Sequence, residues 1–256
     1  VPAALVLVAV LAVPFAVRAA GEAESARPLR TLTFEVDVRV AAQRETPGDA
    51  ITGPRAPAAA RGRSVGTPSA GTTPTGERHL AAKGSIGVDV LATTDDARLV
   101  LDIAETAVRR TRAKVRIAVA PDGVVFYDPK NAEDLTEEEL ALVRWLARGF
   151  YGDHPTEPGT AWTVDQSANG FSDVEHYRVV ARDAQRVTLD YTQEQKMSGT
   201  GGFAGTRGGS LVYDTARTVP VHAQFRSESR RQTGSTNETL RTSVTLTLLT
   251  DSFTKR

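Results

Sequence analysis

The sequence predicts a mainly β protein: a single large curved antiparallel sheet, or an unclosed barrel, of about 11 strands with one packing helix. Three observations predict it. Apolar and polar residues alternate with period two along several long segments. The alternation is one-sided, as in antiparallel sheets with one wet face; parallel strands are buried on both faces and read as continuous apolar runs. One clear segment, around residue 140, breaks into helical spacing instead. So many strands in one sheet must curl or close, and the apolar parity then lines the inside of the curve.

Taken in order, the chain opens with Val1–Val17, VPAALVLVAVLAVPFAV, which carries no charge and is followed by Arg18 and small residues. That pattern matches the middle and end of a secretory signal peptide. The run is slightly shorter than the roughly 20 residues of a membrane span. Residues 1–23 are therefore expected to be a signal peptide or a short anchor, with 24–256 a single β-rich domain outside the cytoplasm. Abundant Ala and Arg with scarce Lys suit a GC-rich bacterium, so the expected location is the periplasm or cell surface of a bacterium.

Thr31–Ala42 places Leu32, Phe34, Val36, Val38 and Val40 on one parity and Thr33, Glu35, Asp37 and Arg39 on the other. This is a strand with one buried face. The pattern returns at Arg112–Ala120 (Val115, Ile117, Val119 inward) and at Arg186–Met197 (Val187, Leu189, Tyr191). It returns again at Thr218–Arg230 (Val219, Val221, Phe225) and Leu240–Thr250 (Leu240, Val244, Leu246, Leu248). Weaker strands are expected near 82–93, 96–108, 123–128, 161–166, 173–183 and 208–214. Turn signals such as Pro121-Asp122-Gly123 separate them.

Residues 44–78 differ. They hold no aromatic residue and are crowded with Pro, Gly, Ser and Thr. Such a stretch buries too little apolar surface to offset the entropy of ordering it, so a disordered insertion is expected between the first two strands.

The helix begins at Leu135-Thr136-Glu137-Glu138-Glu139-Leu140 and is expected to run to about Arg148. Thr136 and Glu139 are spaced for a capping box, and Leu135 and Leu140 for a hydrophobic staple. Three Glu in the first turn suit the positive end of the helix dipole. Leu142, Val143, Leu146 and Phe150 form an apolar stripe with Trp145 beside it, so the helix should lie across the open side of the sheet.

Composition narrows the function. Hydrophobic residues make up 40% of the chain, enough for a sizeable core. Lys plus Arg equals Asp plus Glu, 31 each, so no bulk charge draws the chain to nucleic acid. There is no cysteine, which removes disulfides, thiolate metal sites and thiol catalysis.

Chemical motifs are sparse. Gly199-Thr-Gly201-Gly-Phe-Ala204 fits the loose dinucleotide fingerprint, but a strand follows it (Gly208–Tyr213) where the fingerprint needs a helix. It reads as a hairpin connection with Phe203 at its tip. The four histidines, His79, His154, His176 and His222, show no spacing that sets two ligands on one face, and no metal or cofactor is expected. No G-x-S-x-G elbow or S-x-x-K motif is present, and no catalytic residue is assigned. Asp173 and Glu175 share a strand face, an arrangement that salt bridges commonly explain. Arg109–Arg116 is the densest basic run, with Arg112, Lys114 and Arg116 on one face; Arg226, Arg230 and Arg231 form a weaker cluster.

The second half has the rhythm of a known type. Pro158-Gly159-Thr160-Ala161-Trp162 opens a strand, paired strands follow, and Gly209-Ser210-Leu211-Val212-Tyr213-Asp214 leads by a short turn into two long final strands. This resembles exported bacterial lipoprotein-carrier-like half-barrel proteins and related exported families with a Gly-x-x-Trp turn. The resemblance implies an unclosed antiparallel barrel, a helix packed at its concave side and an apolar cavity for acyl chains.

The functional expectation is a non-enzymatic envelope protein that binds lipid or a lipidated protein inside the curved sheet. Candidate lining residues are Phe34, Val36, Val38, Val115, Ile117, Val219, Val221, Phe225, Val244 and Leu246. The alternative is a structural or protein-interaction module of the envelope with a filled core and a protein partner. Membrane contact is expected only through the N-terminal segment.

Overall fold

A computed structural model describes residues 28–45, 78–94, 98–106, 108, 112–127, 135–147, 156–167, 170–197, 202–233 and 236–253. The 1–23 segment, nearly all of the 44–78 insertion, Arg109–Thr111, His154 and Phe150 lie outside the described residues.

The first half contains β1 (Arg30–Glu45), β2 (Arg78–Thr93), β3 (Leu99–Thr106), β4 (Arg112–Val119) and β5 (Val125–Tyr127). After α1 (Glu137–Ala147) come β6 (Ala161–Asp165), β7 (Phe171–Arg182), β8 (Arg186–Met197), β9 (Phe203–Asp214), β10 (Val219–Thr233) and β11 (Thr236–Asp251). All eleven strands form one sheet in the order β5-β4-β3-β2-β1-β11-β10-β9-β8-β7-β6. Every pairing is antiparallel. The chain starts at the centre of the sheet and meanders to the β5 edge. It crosses through α1 to the β6 edge and meanders back until β11 pairs with β1. The β5 and β6 edges do not meet, so the sheet is open.

Residues Arg44, Glu45 and Arg78, assigned to the insertion from composition, belong to β1 and β2. The pairing Arg44↔Glu238 extends the ladder past the point where the sequence loses its apolar alternation. Phe203 is likewise not the tip of a hairpin but the first residue of β9, paired with Met197. The Pro121–Gly123 turn forms as expected: Gly123 adopts φ 88°, and its amide donates to Ala120 O at 2.8 Å.

The helix begins as its capping box dictates. Glu139 Oε2 accepts from the Thr136 amide at 2.8 Å, and Thr136 Oγ1 accepts from the Glu139 amide at 3.4 Å. Ten of its eleven residues, Glu138 to Ala147, are buried. α1 touches both β4 and β10. Those strands stand five spacings apart, about 24 Å along a flat sheet, whereas an 11-residue helix is only about 16 Å long. The sheet therefore bends around the helix.

The concave face carries the core: Leu32, Phe34, Val36, Val38, Ile86, Leu101, Ile103, Ile117, Leu211 and Phe225, among others, pack with Leu140, Leu142, Val143, Trp145 and Leu146 of α1. Each fully buried side chain of this size contributes roughly 1.5–3 kcal/mol by leaving water.

Candidate functional site

Strand register sorts the concave face into rows. One row is apolar: Val179, Leu189, Leu211, Ala223, Leu246 and Val36 stand side by side from β7 to β1. The next is aromatic over β6 to β10, with Trp162, Tyr177, Tyr191, Gly209 and Phe225. Trp162 stacks on Tyr177 at 5.4 Å between centroids, and Tyr177 on Tyr191 at 5.9 Å. Gly209 leaves the gap in the row. A Cβ there would lie 2.1 Å from Gln224 O and 2.8 Å from Phe225 Cβ. Trp145 of α1 meets both neighbours of the gap edge-on, Tyr191 at 5.4 Å and Phe225 at 6.0 Å. The Tyr213 hydroxyl donates to the Trp145 carbonyl.

The following two rows are polar on the β7–β9 side. They hold Glu175, Gln193 and Arg207, then Asp173, Gln195 and Gly205. α1 supplies the counter-charges. Arg144 Nη1 donates to Asp173 Oδ2 at 3.0 Å and lies 3.5 Å from Glu175 Oε1. Gln193 Nε2 donates to Asp173 Oδ1 at 2.6 Å and to Glu175 Oε1 at 3.1 Å, and Gln195 Nε2 donates to Asp173 Oδ2 at 3.1 Å. The Tyr177 hydroxyl donates to Glu175. Arg207 grips Glu137, at the start of α1, through Nε and Nη2 at 3.2 and 3.0 Å, with its guanidinium 5.0 Å from the Phe225 ring centre. Burial opposes the charge on Arg207, but Glu137, Tyr191 and Glu175 together outweigh it, so the group is held above its ordinary range. Burial pushes the Tyr191 phenol well above its ordinary range, so it stays a neutral donor.

Among the described residues, two donors in this cluster lack an acceptor: Arg144 Nε and the Tyr191 hydroxyl. Leaving a buried donor unpaired costs about 1–3 kcal/mol, so each can receive an acceptor oxygen. The concave face thus offers an apolar region flanked by an aromatic row and a polar cluster with open donors.

Of the ten residues proposed as cavity lining, nine are buried on the concave face or its margin, none more than 7% exposed. They are Phe34, Val36, Val38, Val115, Ile117, Val219, Phe225, Val244 and Leu246. Val221 is the exception. The β9–β10 register shifts between Pro220 and His222, so Val221 is the extra residue of a bulge; it is half-buried and packs against the edge of the core. It lines a depression of about 480 Å³ together with Arg186, Val212, His222 and Leu249, mainly residues of the outward parity.

Asp173 and Glu175 are paired as expected, but inward, with a helix residue. Their parity with Tyr177 and Val179 was the available signal. Gln193, Arg207 and Arg144 were not anticipated. On the outer face Arg116 pairs with Asp102 at 2.8 Å and Lys114 with Asp89. His79 and His176 are exposed, and His222 contacts Thr247 at 3.2 Å. Among the described residues no three His or carboxylate side chains are grouped to hold a metal ion, and no helix is long and apolar enough to cross a membrane.

No protein-family model matches the chain, and no curated protein sequence matches it. Among solved structures the chain is similar to lipovitellin, in a structure described as showing lipid–protein interactions in lipovitellin. The TM-score is 0.44 and the identity 8%, over 90% of this chain and 26% of that one. The chain spans about a quarter of the length of that lipovitellin chain.

Proposed function

We propose that this protein is a non-enzymatic binding protein of the bacterial envelope that takes an amphipathic ligand, a lipid or a lipidated protein, on the concave face of its open sheet. One observation carries the reading: an apolar concave face ends in a buried polar cluster that retains two open donors, Arg144 Nε and the Tyr191 hydroxyl. The ligand's polar end accepts from these donors, and its apolar part lies along Val36, Val38, Phe225, Val244 and Leu246. α1 already packs on that face, so entry requires α1 to shift from the apolar side. Its ion pairs to β7 and β9 serve as the hinge side. The apolar 1–17 stretch supports export.

Native mass spectrometry of the protein purified from its own envelope tests this, followed by titration with a fluorescent fatty acid. Excess mass matching a lipid, and saturable probe binding weakened by Val38→Trp, is the expected result. A clean apo mass with no probe binding overturns it. That outcome favours the second reading, an interaction module with a filled core, which the near-complete burial of the nine concave residues supports.

A further inference from the structure

We propose that the far end of the four central strands is a docking surface for an anionic lipid bilayer. β2, β1, β11 and β10 lie side by side at the centre of the sheet, about 15 Å across. At this end their segments are residues 37–45, 78–83, 226–233 and 236–241. They contain eight Lys and Arg against four Asp and Glu, in a chain whose totals are equal. Register brings these scattered residues together. On the outward parity Arg39 faces Ser243, which faces Arg226, and Arg241 faces Glu228; on the concave parity Arg44 and Arg231 both face Glu238.

Exposure sharpens the imbalance. All eight cations are exposed, whereas Asp37, Glu228 and Glu238 are half-buried. Asp37 is shared by Lys83 at 3.2 Å and Arg39 at 3.8 Å, and Glu228 by Arg230 at 2.8 Å and Arg241 at 3.0 Å. Asp37 and Glu228 are thus each shared by two cations more exposed than themselves. The outward side holds a depression of about 700 Å³ lined by Arg39, His79, Arg226 and Arg241. Leu80, 54% exposed, stands at the same end but on the concave parity, paired with Val40.

Adjacent strands lie about 4.8 Å apart, within the Debye length of about 8 Å at physiological salt, so neighbouring cations act on a charged surface together. Long arginine stems lie along apolar surface while their heads reach phosphates. Anionic lipid surfaces attract such clusters at about 1 kcal/mol per basic residue, which is about fivefold in partitioning.

The test is flotation of the full chain with vesicles of phosphatidylglycerol and phosphatidylcholine, and of phosphatidylcholine alone. An apolar N-terminal segment enters both alike, so the ratio between them isolates the cationic contribution. The expected result is preference for the anionic vesicles, lost as salt approaches 1 M. The triple variant Arg39→Gln/Arg226→Gln/Arg230→Gln should lower anionic partitioning about a hundredfold. The matching Lys triple should retain it. So should Arg178→Gln/Arg182→Gln/Arg186→Gln, on the distant β7–β8 strands. If the Gln triple fails to fold by circular dichroism, the salt series on the unmodified chain decides. Equal partitioning to both vesicles, salt-insensitive preference, or equal loss in the distant triple overturns the proposal. So does tight binding of inorganic polyphosphate or single-stranded oligonucleotide without vesicle binding.

Discussion

Replacing Arg144 by Met tests the joint between helix and sheet. The Arg144 side chain is 8% exposed, Asp173 1% and Glu175 6%. Taking away the cation leaves two carboxylates in a site almost without water. Breaking one partner out of a buried ion pair costs about 3–5 kcal/mol. Gln193 and Gln195 continue to donate to Asp173, and hydrogen bonds to a charged group are each worth about 1.5–3 kcal/mol. The cost therefore belongs at the lower end, about 3 kcal/mol. For a chain of this size that lowers Tm by about 6–12 °C. Urea unfolding followed by tryptophan fluorescence reads it directly, because Trp145 adjoins Arg144 and is 4% exposed. Combining Arg144→Met with Asp173→Asn should recover about 1–3 kcal/mol as coupling between contacting residues. A loss below about 1 kcal/mol, with no coupling, would refute the placement of α1 against β7 and with it the polar cluster.

Three further outcomes are expected. Thr136→Ala removes the helix cap and should cost about 1 kcal/mol in urea unfolding. Gly209→Ala places a Cβ 2.1 Å from Gln224 O, so β9 and β10 must separate. Overpacking of this kind costs about 1–3 kcal/mol, and amide exchange should quicken along that pair of strands. Burial raises the Asp251 carboxyl, but bonds from Arg30 at 2.7 and 2.9 Å, the Phe253 amide and nearby Arg217 outweigh it and hold it below the usual range. Its folded pKa is the lower one, so its stabilisation is complete above the unfolded value of about 3.9 and is lost as pH falls through the folded value. Asp251→Asn should flatten the acid limb of stability against pH below about 4, measured by thermal melts.

Much of the architecture was legible locally. Successive side chains on a strand point to opposite faces, so the buried parity of β1, β4, β8 and β11 follows from their alternation alone. The capping box of α1 needs only residues 136 and 139. Val221 escaped because a bulge is a mismatch between two strands, β9 and β10, and alternation within one strand cannot register it. Arg44 and Arg78 looked like insertion because their strand character comes from partners across the ladder.

Which residues turn inward and where α1 starts can be read from the sequence, because these depend on backbone geometry within a few residues. The tertiary structure decided what meets what. Arg144 reaches Asp173 only because the chain crosses from the β5 edge to the β6 edge. Arg39, Arg226 and Arg241 share one face only because β11 returns to pair with β1. Those meetings join residues up to about 200 positions apart, and closure over such spans is set by the free energy of the whole sheet, not by the pattern in any one strand.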